Sequence, residues 1–232
     1  MDLIAFAAKY LVLWAMENCP LCLKSVAGLH GPSHIMPSWM ESKSIEALVC
    51  ENCEKRFERS DIFAAEFFKE KKFLKKTIEP DYFDTFFGFE THHKSARVAL
   101  LYFLVGLSLK QHLYGLKQGD DLLGSTYERL AADYSGRFIE ENDYQFLVIK
   151  QTESLSVVAP PIRSRIEEFN AIEIMILGYR FFLITDQRPL PANSPIRKLA
   201  QQPELTIMIE DASTDSLYKN FLAFMEEFSA RA

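Results

Sequence analysis

The chain has 232 residues, 48% of them apolar, with nineteen Phe but only nine Gly and ten Pro. That composition supplies a sizeable core and excludes a disordered or low-complexity chain. The formal charge of −6 argues against charge-driven nucleic-acid binding over the whole surface, yet residues 1–76 carry eleven Lys/Arg against ten Asp/Glu, so any phosphate-binding surface is expected in that first third.

The start, MDLIAFAAKYLVLWAMEN, has no basic leader before its apolar run, and Lys9 breaks the run well short of a bilayer's thickness. Its spacing suits a packing helix over 3–16, and a cytoplasmic protein is expected. Residues 19–50 are loop-rich, with extended pieces near 26–36 and 46–49. A helix begins at about Cys50, with Phe57, Phe63, Phe67 and Phe68 mostly on one face, and Ser60 or Asp61 is placed to restart it as a cap. KEKKFLKK (69–76) reads as a solvated helix end or, alternatively, as a phosphate-binding patch. Glu79-Pro80 interrupts the pattern, and DYFDTFFGFE (81–90) is aromatic and irregular. Thr91 caps a long helix over about 92–117, apolar nearly all round and so buried between layers. Another helix spans Thr126 to Phe138.

After Glu141 the period changes. DYQFLVIK, SLSVVAP, AIEIMIL, YRFFLIT and ELTIMIE are short β-branched or aromatic runs bounded by turn residues. IEIMIL-GY-RFFLIT reads as a hairpin with Gly178 first in a type II′ turn. Glu173 is expected on the exposed face of its strand. Arg163 and Arg165, at alternate positions, either defend an edge strand or grip phosphate. TDSLYKNFLAFMEEFSA is an amphipathic closing helix. His92, His93 and His112 read as surface or packing residues, His30 as a loop residue, and Arg97 as a candidate partner for an acid. The expected fold class is α+β: a zinc module with its N-terminal helix over 1–78, then a helical middle and a mostly antiparallel sheet with a closing helix over 79–232.

All four cysteines fall between 19 and 53, as Cys19/Cys22 and Cys50/Cys53 with 27 residues between the pairs. Two Cys-x-x-Cys turns supply the four thiolates a tetrahedral zinc takes, and a shell so closed has no open position, so the metal is expected to be structural. The spacing suits a treble clef, with the second pair at a helix start where the dipole favours thiolate. Four reduced structural cysteines would leave the paired spacing unexplained.

CPLC (19–22), SHIMPSW (33–39) and ALVCENCEKRF (47–57) together resemble the zinc-stapled ββα-metal core of HNH-type nucleases, in particular the SHIxP…LxCxxCE group; the likeness covers about residues 16–70. The resemblance implies that His34, ending the first strand, is a general base that deprotonates water for attack on a phosphodiester, a task that suits an imidazole pKa. It also implies a divalent ion of the Mg or Mn kind. Ser33 stands where such nucleases carry an acid, Ile45 where an Asn orients the histidine (Ser44 and Glu46 lie beside it), and Glu54 where a final His follows the last cysteine. Glu54 is the candidate ion ligand, sharing a helix face with Glu51 and Glu58. A strand-end histidine can equally lock its loop by a backbone hydrogen bond, and a first-turn Glu can simply complement the helix dipole.

Two functions follow as expectations. One is a metal-dependent nuclease acting on DNA or RNA, with His34 and Glu54 in the site. The other is a non-catalytic zinc scaffold that binds protein through 79–232. No membrane partner is expected, and no Walker, Rossmann or nucleophile-elbow pattern is present.

Overall fold

The computed structural model describes residues 17–26, 30–34, 37, 46–70, 74–78, 87–116, 118–136, 139, 144–151, 158–166, 168–186, 188, 190–191, 197 and 204–210. The helices expected over 3–16 and at the C-terminus lie outside the described residues. In chain order the elements are β1 (Glu17–Asn18), β2 (Ser25–Val26), β3 (His30–His34), β4 (Glu46–Val49), α1 (Glu51–Glu70), β5 (Leu74–Ile78), β6 (Phe87–His92), α2 (Lys94–Leu116), a 3-10 turn (Gly124–Thr126), α3 (Tyr127–Ser135), β7 (Gln145–Gln151), β8 (Val158–Ile166), β9 (Phe169–Ile176), β10 (Tyr179–Ile184) and β11 (Leu205–Glu210). The class is α+β, as the residue patterns imply.

Seven strands form one mixed sheet in the order β5-β6-β11-β7-β10-β9-β8, and two short hairpins, β1-β2 and β3-β4, stand apart from it. The β11–β7 pairing is parallel, and the others are antiparallel. Alternation along the strands separates two apolar sets. Phe146, Val148, Ile172, Ile174, Phe181, Leu183 and Ile207 join the helices in one cluster. Leu147, Ile149, Phe182 and Ile184 join Phe169 and Leu190 in another, on the opposite face. Burial on both faces is why these strands read as nearly continuous apolar runs.

That double burial overturns the placement of Glu173. It is buried, and its Oε1 accepts from Arg180 Nε (3.0 Å) and Nη2 (2.6 Å), while Ser164 Oγ donates to its other oxygen. The hairpin turn also differs. Tyr179 is the Cα partner of Ile176, so the turn residues are Leu177 and Gly178, both with positive φ (50° and 82°). This is the type I′ pattern, whose twist matches the flanking strands.

The segment 81–92 departs from expectation too. Phe87–His92 is a strand, and the following helix starts at Lys94 rather than 92. Leu74–Ile78 pairs with it, so Lys75 and Lys76 belong to β5 and not to a helix end. Position α1 is unbroken through Ser60 and Asp61, and Ser60 Oγ donates to the carbonyl of Phe57.

Helices α1 and α2 pack tightly at Gly106. A methyl group there would sit 2.7 Å from Phe57 Cε1, and the Phe57 ring is itself held between Tyr134, stacked at 5.1 Å, and the Lys110 ammonium, 3.9 Å from its centroid. Gly106→Ala gains helix propensity worth about 1 kcal/mol, but overpacking outweighs it. A net loss of roughly 1–2 kcal/mol is expected by urea denaturation; unchanged stability would show that the ring can yield.

Candidate metal centre

The first cysteine pair sits on a tight knuckle. Cys19 N donates to the carbonyl of Lys24, and Leu23 N, in a residue with φ of 56°, donates back to that of Cys19. The two-residue strands β1 and β2 hold its ends together. The second pair opens α1: the N–H groups of Cys53 and Glu54 both donate to the carbonyl of Cys50 (3.0 Å each). Leu21, fully buried, and Val49 and Phe57 carry both turns into the same apolar cluster as α2. The Tyr127 hydroxyl, from the start of α3, donates to the carbonyl of Pro20 and pins the knuckle from outside.

The four sulfur atoms converge. All lie within 4.8 Å of one another, with Cys19–Cys53 and Cys22–Cys50 each at 3.8 Å, and none forms a disulfide. A tetrahedron with Zn–S bonds of about 2.3 Å needs sulfurs about 3.8 Å apart, so the donor set fits a structural zinc. Among the described residues no other three Cys, His, Asp or Glu side chains converge this way.

The electrostatics agree. Burial opposes ionisation of Cys19, but the backbone N–H groups of Cys22, Cys50 and Leu21 outweigh it and bring its pKa down to about 7. The Cys50 N–H lies 3.3 Å from Cys19 Sγ. Burial, then the neighbouring thiolates, push Cys53 well up, and burial raises Cys22. One thiolate is therefore favourable here and several are not, unless a dication neutralises them. Bound at four thiolates, zinc supplies a cross-link between knuckle and helix and leaves no position for a substrate.

His34 ends β3, and its Cα partner across the β3–β4 hairpin is Glu46; its side chain, like those of His30 and Glu46, lies outside the described residues. Glu54 is in the first turn of α1. Its Oε2 is buried without a hydrogen-bond partner, and its charge acts on Asp61 and Lys110 within the α1–α2 interface. There burial raises Asp61 to about 6, opposed by the Lys110 ammonium 3.9 Å away. Glu51 and Glu58, expected to share a face with Glu54, are exposed, and Glu51 pairs with Lys55 instead.

Several buried polar groups escaped sequence reasoning. His92 is buried against Phe67 with its Nε2 3.3 Å from Glu90 Oε2, and Lys150 pairs with the other Glu90 oxygen. The alternation Glu90-x-His92 was the available signal, and it is meaningful only once 87–92 is read as a strand. His112 is buried too: the Leu123 N–H donates to its Nδ1, which leaves the ring proton on Nε2, and burial lowers its pKa. The Arg97 guanidinium lies over the Phe146 ring at 4.7 Å.

Fold and donor set define an α+β protein with a four-thiol centre fit for structural zinc. Compared with known proteins, the chain matches no family model, no curated protein and no solved structure. No described helix is long and apolar enough to cross a membrane.

Proposed function

We propose that residues 17–70 form an HNH-like, treble-clef-type module stapled by zinc, and that the protein is a metal-dependent nuclease hydrolysing phosphodiester bonds. One observation carries this reading: a cysteine knuckle, an antiparallel hairpin and a helix follow in order, with the four sulfurs gathered and His34 ending the hairpin's first strand. His34 accepts the proton of the attacking water. Glu46, its Cα partner, follows Ile45, the position where the resembled nucleases carry an Asn that orients the histidine. Zinc holds strand and helix together and takes no part in the chemistry. A Mg²⁺- or Mn²⁺-like ion is the expected further cofactor, with the orphaned Glu54 oxygen as its candidate ligand. Glu54 belongs to no group of three potential metal-ligating side chains among the described residues, so no step is assigned to that ion.

The buried Glu54 Oε2, whose charge acts on Asp61 and Lys110, favours a second reading. Here the same module is a non-catalytic scaffold, Glu54 is a structural charge, and the partner is a protein bound through the remainder of the chain.

Purified zinc-loaded protein incubated with plasmid DNA and with RNA, in Mg²⁺, Mn²⁺ or Ni²⁺, separates the two. The nuclease reading expects cleavage that falls about 100-fold or more in His34→Ala while zinc content stays the same. Cleavage unaffected by His34→Ala removes the histidine from the chemistry. Absence of cleavage with every ion supports the scaffold.

A further inference from the structure

A cavity of about 450 Å³ lies far along the chain from the cysteines, between the Leu122–Thr126 turn and the β8–β9 edge of the sheet. It is within the size range of small-molecule sites. Its wall includes Ser125, Thr126, Arg163, Arg165, Asn170 and Thr185, and its apolar part comes from Leu122, Leu123 and Ile172. Among the described residues no carboxylate lines it, although the chain as a whole is acidic.

The two arginines are prepared differently. Both stand on β8, the last strand of the sheet, two residues apart and so on one face. Arg163 is already oriented: its Nε donates to the carbonyl of Leu122 (3.2 Å) and its Nη2 to that of Asp121. This ties the strand to the turn and leaves guanidinium donors over. Arg165 is exposed and forms no hydrogen bond or ion pair with a described residue. Two acids adjacent in sequence to lining residues are occupied. Asp121 Oδ1 accepts from the Gly124 N–H, and Glu173 is committed to Arg180 and Ser164.

Two guanidinium groups on one face of a polar recess, with hydroxyl and amide groups also lining it and no competing carboxylate among the described residues, match the planar, multidentate way arginine holds phosphate. The apolar floor fits a body attached to that phosphate. We propose that this cavity binds a small phosphomonoester of nucleotide size, with Arg165 as the principal anion-binding group and Arg163 as the anchored second donor. A compact recess of this volume, in contrast to a long basic groove, favours a small ligand over a nucleic-acid strand. The site is separate from the proposed nuclease residues and does not depend on them.

Isothermal titration of the full-length, zinc-loaded protein with adenosine 5′-monophosphate, glucose 6-phosphate and inorganic phosphate tests this. At least one phosphomonoester is expected to bind, more tightly than inorganic phosphate. Arg165→Ala is expected to weaken it about tenfold or more, and Arg165→Glu to abolish it. Arg165 touches no described partner, so both variants should keep wild-type thermal stability and zinc content; Arg163 is unsuitable because it holds the turn. Adding salt to about 0.5 M should weaken binding, since part of the attraction is screened. Failure of all three probes to bind at millimolar concentration overturns the proposal, as does binding that survives Arg165→Glu. Binding of a single-stranded oligonucleotide lost in Arg165→Glu, with no binding of the small probes, overturns it in favour of a nucleic-acid contact.

Discussion

Cys53→Ser is expected to strip the metal and disorder the N-terminal module. Cys53 is 2% exposed and its sulfur is 3.8 Å from that of Cys19. Zinc bound by four thiolates contributes on the order of 10 kcal/mol to the folding of small modules, comparable with the whole stability of an ordinary domain. The two-residue strands β1 and β2 have little else to hold them. The loss should spread, because Cys19, Leu21, Cys50, Cys53 and Phe57 are packed in one cluster with Leu100, Phe103 and Leu104 of α2. Metal analysis should fall from one zinc per chain to near none, and limited proteolysis should open first around residues 17–26. A chelator should reproduce the effect on wild type. Acidification should do so too, because protons compete for the thiolates and metal affinity falls with pH. A Cys53→Ser protein that retained one equivalent of zinc and resisted proteolysis would remove the four-thiol site.

The second large effect is expected at Glu90, which is 2% exposed beneath α1. Burial alone would raise its pKa, but the His92 ring and the Lys150 ammonium outweigh burial and bring it from 4.5 down to about 2. A folded-state pKa below the unfolded one means that the carboxylate stabilises the fold. That contribution is fully present above about 4.5 and is lost as pH falls toward 2. Its size is of order 3 kcal/mol, from the magnitude of the shift. Glu90→Gln should cost about 2–4 kcal/mol at pH 7, because Lys150 and His92 are left beside a neutral amide. The gap to wild type should narrow as the pH is lowered through 4 toward 2, where wild-type Glu90 is itself being protonated. Denaturant unfolding of both proteins across that range measures it. Equal stabilities at pH 7 would show that the pair is compensated by solvent.

The residues that were legible in advance are those whose role depends on near neighbours in the chain. CPLC and CENC state their chemistry locally, since a Cys-x-x-Cys turn brings two sulfurs to one point whatever surrounds it. The long apolar helix and the strands after 144 also declared themselves by period. Glu173 did not, because a carboxylate in an alternating strand looks solvent-facing until the second face of the sheet is known to be covered. Nor did 87–92, where Gly88 and adjacent aromatics mask a strand whose partners, Leu74–Ile78 and Leu205–Glu210, are chosen by the sheet.

The amino-acid order by itself determined that four thiols would form one centre, that the protein would be α+β, and that Gly178 would lie in a hairpin turn. Only the tertiary structure decided that the charge of Glu54 acts on Lys110, that Glu90, His92 and Lys150 meet with His92 against Phe67 of α1, and that Arg163 and Arg165 border a cavity with the distant Ser125 and Thr126. The reason is one of range. Thiol pairing, helix period and turn chemistry act over a few residues, whereas the pairing of a buried charge is set by whichever strand or helix packs against it, and that choice is written over the whole chain.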